Sequence, residues 1–289
     1  RLVPGYDFGD NDSNPTDNSS EQGHGTSCSG IAAGKANNSL GIAGVAGGCS
    51  VMPLKIVTTN GSIPFSAIEN ALIYAGDHDV AVGSMSFGAN VNVGSSPSTD
   101  DALSYAYNHG VTLFASTANN NVSTVYYPAK HPSVIAVGAA SPSGQRKSPS
   151  SSDGESWWGS NYGVNTQDSP NSVDVMAPTI LPATDISGTQ GYSNGDYYMW
   201  FNGTSCAAPY AAGVAALMKS KNPLLTPAEV CSLITSTATD MTADGGVGWD
   251  RYTGYGLVNA DAALQQVIPG MPICSITYPP HNSVFELGG

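Results

Sequence analysis

The chain has 289 residues, 40% of them apolar, with 34 Gly, 19 Pro and a formal net charge of -13 from 9 basic and 22 acidic side chains. That length supports one sizeable hydrophobic core, and so few Lys and Arg argue against a phosphate-binding surface and hence against nucleic acid as a partner. No run of about 18 apolar residues occurs, so no membrane span is expected in this stretch.

In chain order, the first 23 residues read as loop, because Asp, Asn, Ser and Pro crowd the stretch from Phe8 to Glu21. Small residues from Gly25 to Ala33 predict a tightly packed helix. Val51 to Val57 reads as a strand, and Ser62 to Tyr74 as a helix with Ser62 as N-cap. Val80–Met85, Val111–Ala115, Val134–Ala139 and Val173–Met176 read as strands, with a helix over Thr99–Asn108. Short apolar runs alternating with helical patterns predict an α/β fold, its helices on both faces of a buried, mostly parallel sheet. Ser141 to Gln167 is a polar loop carrying Trp157 and Trp158.

A long Ala-rich helix is expected from Ser205, with Pro209 in its first turns, where a missing amide donor costs little. Thr226, Pro227 and Glu229 match a capping box, and Val258–Val267 reads as the closing helix. The main domain is therefore placed at 1–267. Residues 268–289 read as a linker followed by the first strand of a β-sandwich, or as a tail lying against the main domain. Five cysteines, Cys28, Cys49, Cys206, Cys231 and Cys274, show no zinc spacing; Cys231 with Cys274 is a candidate bridge for the tail.

Two separated motifs carry chemistry. Gly23-His24-Gly25-Thr26 sets an imidazole at the start of one helix, and Asn202-Gly203-Thr204-Ser205 sets a hydroxyl at the start of another. Serine needs a nearby base to act as a nucleophile, and a helix N-terminus offers amide donors to a developing oxyanion.

From about Gly5 to Val267 the chain resembles the subtilisin-like serine proteases, whose fold is a three-layer α/β/α sandwich. The resemblance implies His24 as general base, Ser205 as nucleophile and Asn119, in Phe114-Ala115-Ser116-Thr117-Ala118-Asn119, as oxyanion donor. It implies that Ser84, Ser86, Phe87 and Gly88 pair with an extended peptide, that Ala115, Ser116, Thr117 and Ala118 form another pocket wall, and that Tyr126 narrows the pocket, with bulky apolar side chains preferred. Tyr127-Pro128 matches a cis turn of the family. A protein or peptide substrate, a propeptide, secretion and extracellular action as an activated zymogen follow from the same resemblance. No cofactor is required for the chemistry, and structural calcium is expected, Asp10, Asp12 and Asn14 being one candidate loop.

Three departures from the family pattern stand out. No hydrophobic strand ending in an aspartate precedes His24, so the triad acid is expected upstream of residue 1, in cis or on a separate chain, and the 289 residues alone are expected to be impaired. Asp7, Asp10, Asp12 and Asp17 are poor substitutes. Ala118 stands where glycine is usual, which means strain if the backbone needs positive φ and an altered pocket if it does not. Cys206 stands beside the nucleophile, either reactive or buried and inert, and Cys28 lies one turn beyond His24. His78, His109, His131 and His281 show no ligand pattern. The competing readings are an inactive subtilisin-like scaffold and a different α/β hydrolase, the latter requiring a late histidine.

Overall fold

In a computed structural model the structure describes residues 2–18, 23–90 and 96–270. Four parallel strands, β3 (Val82–Met85), β4 (Thr112–Ser116), β5 (Val134–Ala140) and β6 (Val175–Pro178), lie side by side in that order. Every residue of β4 and β5 is buried, as continuous apolar runs require of strands covered on both faces.

The period of two along each strand sorts side chains between two cores. Leu113, Ala115, Val134 and Ala136 meet Ile68 and Leu72 of α2 (Phe65–Asp77) and Leu103 and Ala106 of α3 (Pro97–Asn108). Phe114, Ile135 and Val137 meet Ala208, Ala211 and Met218 of α4 (Thr204–Lys221), with Val230 of α5 (Pro227–Ser236) and Ala263 of α7 (Ala260–Gln266) completing that layer. The result is the three-layer α/β/α sandwich that the alternation predicted.

Helix α5 has its full capping box: Thr226 accepts from the Glu229 amide while the Glu229 carboxylate accepts from the Thr226 amide. Helix α2 departs from expectation. It starts at Phe65 after Pro64, which has no N–H to give and φ -67, while Ser62 is used in a turn with Thr58. His78 and His109 each stack on the tyrosine four residues earlier, Tyr74 at 3.7 Å and Tyr105 at 3.9 Å, which gives both a structural role at a helix end.

Periodicity missed several elements. Within the supposed N-terminal loop, β1 (Tyr6–Asp7) pairs in parallel with β2 (Leu54–Lys55), a much shorter strand than the apolar run suggested. Strands β7 (Leu181–Thr184) and β8 (Tyr197–Phe201) form an antiparallel ribbon under α1 (His24–Ala33), and α6 (Thr242–Gly245) is a single turn. Cys274, and with it the pairing considered for Cys231, falls outside the described residues, as does most of the tail assigned to a sandwich strand. Among the described residues, no helix is long and apolar enough to cross a membrane.

Candidate active site

His24 opens α1 because Gly23 turns the chain there with φ 93, a conformation that suits glycine. A Cβ on Gly23 would also stand 2.8 Å from Asp185 Oδ1. The exposed amides of the first helical turn are met from outside the helix: Thr26 donates its N–H and its hydroxyl to Asp17 Oδ2 at 3.0 and 2.9 Å. Asp17 therefore acts as a long-range cap. Further along, Ser27 Oγ donates to the Thr184 carbonyl at 2.8 Å and binds the helix to β7.

Ser205 is the second residue of α4. Pro209 follows it by four residues and has no N–H, so the helix leaves the Ser205 carbonyl without its usual i+4 donor. Two side chains replace it: Ser86 Oγ donates at 2.9 Å and Cys28 Sγ at 3.4 Å. In return, the Ser205 hydroxyl donates to the Ser86 carbonyl at 3.3 Å. The missing amide is thus not idle, as its place in the first turns suggested; it lets Ser205 be tied to the segment after β3 and to α1.

The same contacts bring the two sequence motifs together. Cys28 lies four residues, about 6 Å of helix, beyond His24 and touches Ser205, while the His24 ring lies 5.7 Å from that of Phe201, four residues before Ser205. Both His24 and Ser205 are half-buried.

Asn119 is oriented by its neighbours. Thr204 donates both its N–H, at 2.8 Å, and its hydroxyl, at 2.9 Å, to Asn119 Oδ1. A backbone N–H can only donate, so Oδ1 must face it and Nδ2 is turned the other way. A Cβ on Gly203 would stand 3.2 Å from that Nδ2 and 3.5 Å from the Ser205 nitrogen, so glycine leaves open the space where the two nitrogens converge. Gly203 also has φ 87.

Ala118 adopts φ 83, so the strained alternative holds at this position. Ser86 to Ala89 runs alongside Tyr126 and Tyr127: the Ala89 amide donates to the Tyr127 carbonyl at 2.9 Å, and the Tyr127 amide returns the bond at 3.1 Å. Ser84 and Gly88 are exposed and Phe87 is half-buried, whereas Ala115, Ser116 and Thr117 are buried, with Ala118 half-buried at the surface end of that run. The Tyr127–Pro128 bond is cis.

The thiols near Ser205 are inert by environment. Burial pushes both the Cys28 and the Cys206 thiol up to about 12, so neither is a thiolate at neutral pH, which favours the inert alternative for Cys206. The four N-terminal aspartates are all engaged. Asp7 is buried and pairs with Lys55 at 2.6 Å; Asp10 binds Lys55 and Thr59; Asp12 caps the Asn14 amide; Asp17 caps α1. Asp10 thus already faces an ammonium ion. Among the described residues no group of three or more His, Cys, Asp or Glu is placed to hold a metal ion.

Sequence reasoning named Ser86 only as a substrate contact and passed over Gly203, Thr204 and the Asp17 cap; the adjacency of Gly203 and Thr204 to Ser205 was the signal available.

Comparison with known proteins gives the family. The model described as "Subtilase family" matches residues 4–256. Thermophilic serine proteinase from Bacillus sp. (strain AK1) is 34% identical over 91% of this chain and 57% of its own length, and subtilisin E from Bacillus subtilis is 35% identical over 90% and 60%. Thermitase from Thermoactinomyces vulgaris is 33% identical over 92% of this chain and 82% of its own. Among solved structures, a protease from Pseudoalteromonas arctica superposes with a TM-score of 0.76 at 26% identity, covering 92% of this chain and 84% of that one. The chain spans a little over half the length of the AK1 proteinase and about a third of fervidolysin. With the family model matching residues 4–256 and relatives 33–35% identical over nine-tenths of its length, the chain belongs to the subtilase family.

Proposed function

We propose that the protein is a serine endopeptidase that hydrolyses peptide bonds through an acyl-enzyme. The observation that carries this reading is that Asn119 Nδ2 and the Ser205 backbone nitrogen both lie within 3.5 Å of one point beside Gly203, with Asn119 Oδ1 held away by Thr204. In this scheme Ser205 Oγ attacks the scissile carbonyl as His24 takes its proton, and the oxygen that gains charge accepts from Asn119 Nδ2 and the Ser205 amide. His24 then protonates the departing amine, and water, deprotonated by the same imidazole, releases the acyl group.

An extended peptide would lie along Ser84–Gly88, with its side chain entering between that edge and Ala115–Ala118 and Tyr126 limiting the depth. The relatives are named as proteinases and subtilisins, which supports the peptide over a small ester. A propeptide, secretion and a structural calcium ion belong to the same proposal by family likeness.

One observation favours a second reading, an inactive subtilase-like scaffold: the carboxylates of Asp7, Asp10, Asp12 and Asp17 are all committed elsewhere. The test is labelling of the complete protein with a serine-directed phosphonate, followed by peptide mapping. Label on Ser205, lost in His24→Ala, is expected; a folded protein that stays unlabelled would establish the scaffold.

A further inference from the structure

The loop between β5 and β6 contains a buried polar network that the chemistry above does not use. Asn161, fully buried, brackets Asn119 on both sides: its backbone N–H donates to the Ala118 carbonyl at 2.8 Å, and its Oδ1 accepts from the Asn120 amide at 2.8 Å and the Val122 amide at 3.3 Å. Its Nδ2 donates to the Thr124 carbonyl at 2.8 Å, so one side chain spans the whole turn that presents Asn119. Gly159 adds a bond from its amide to the Asn119 carbonyl at 3.3 Å.

Six residues earlier in the same loop, Glu155 reaches the opposite flank. Its Oε1 accepts from Asn202 Nδ2 at 2.8 Å, immediately before Gly203, and its Oε2 accepts from Trp158 Nε1. The loop is held in turn by Lys147, fully buried, whose ammonium pairs with Asp153 at 3.4 Å and donates to the Glu155 and Trp158 carbonyls.

We propose that Asn161 and Glu155 are positioning residues for the oxyanion hole, Asn161 setting the Asn119 turn and Glu155 setting the chain that enters the Ser205 helix. The inference rests on the peptidase reading and deepens it. A positively curved turn at Ala118 does not hold itself, since φ 83 is unfavourable for alanine. The bonds on either side of Asn119 supply that restraint. Displacement of a catalytic group by about 1 Å can cost about 10²-fold in rate, so a brace of this kind acts on turnover more than on substrate affinity.

The test is a double-mutant cycle on the complete protein, with kcat and KM measured for a peptide substrate. Asn161→Ala is expected to lower kcat about 10-fold to 100-fold with KM within about 2-fold. In an Asn119→Ala background the same change should cost no more than about 2-fold, because the donor it positions is gone. An equal loss in both backgrounds, or a loss confined to KM, overturns the proposal.

Asn161→Asp retains the acceptor for both amides and should recover part of the loss. Should Asn161→Ala fail to fold, Asn161→Ser is read by the same cycle and the same outcomes decide. Glu155→Gln can keep only one of the two carboxylate bonds and should lower kcat in both backgrounds, because the Ser205 amide it positions is still present; an unchanged kcat overturns the Glu155 assignment. A wild-type protein that neither cleaves peptide nor labels at Ser205 overturns the peptidase reading and this inference with it, whereas an active wild type with additive losses in the Asn161 cycle overturns the inference alone.

Discussion

The two halves of the candidate site are supported differently. Ser205 and Asn119 stand near the ends of α4 and β4; Ser86 and Cys28 donate to the Ser205 carbonyl, Thr204 donates to the Asn119 side chain, and Asn161 accepts from the neighbouring Asn120 amide. His24 stands on a helix whose first turn is capped by Asp17, close in sequence to a two-stranded ribbon in which Lys55 neutralises Asp7 and Asp10. In the first half the contacts to Ser205 and Asn119 are uncharged hydrogen bonds, with Glu155 and the buried Lys147–Asp153 pair one step behind them; in the second half charge makes the contacts directly. The first should be sensitive to ångström-scale shape and the second to loss of a single charge.

Gly203→Ala should show the largest effect. A methyl placed 3.2 Å from Asn119 Nδ2, at φ 87, displaces the proposed oxyanion donor. Turnover is expected to fall about 10²–10³, the range for losing one such donor, taken from subtilisin itself, and phosphonate labelling of Ser205 should slow in parallel. An unchanged rate would remove Asn119 from the site.

On the charged side, Lys55→Met strands the buried Asp7 carboxylate. Urea denaturation should record a loss of about 3 kcal/mol, the lower end for breaking a buried pair. Asp17→Ala should cost about 1 kcal/mol, as loss of a helix cap does, and Thr26 amide exchange should accelerate. Ala118→Gly separates strain from support. Relief of about 1–2 kcal/mol of left-handed strain, less about 0.5–1 kcal/mol of glycine entropy, leaves a gain of about 0–1.5 kcal/mol in thermal unfolding. Destabilisation there would mean that the alanine methyl contributes packing that outweighs its backbone cost.

The smallest effect is a titration. Hydrogen bonds from Lys55 and then Thr59 hold the Asp10 carboxyl down at about 2, from an ordinary value near 3.8. A lowered folded value means that the ion-pair contribution is complete above the ordinary value and is lost as pH falls through about 2. The Thr59 amide shift should therefore titrate with a midpoint near 2, moving toward 3.8 in Lys55→Met. A wild-type midpoint already near 3.8 would mean that the ribbon is not held by charge.

Local order explains what could be read from the chain alone. Apolar runs alternating with helical spacing set the three layers; Thr226 and Glu229, three residues apart, set the α5 cap; and the motifs around His24 and Ser205 could be picked out as candidates because each fits within eight residues. A period of two or 3.6, or a cap box, is fixed by neighbours a few bonds away.

Tertiary structure alone decided the rest. Ser86 bonds to Ser205 across 119 positions and Asn161 to Asn120 across 41, and any polar residue could have filled those roles as far as local pattern shows. Ser62 looked like a helix cap until Pro64 set the helix start, and Asp17 looked like spare surface charge until folding brought it to Thr26. Hydrogen-bond partners far apart in the chain carry no periodic signature; they are chosen only when packing makes an unpaired buried polar group costly.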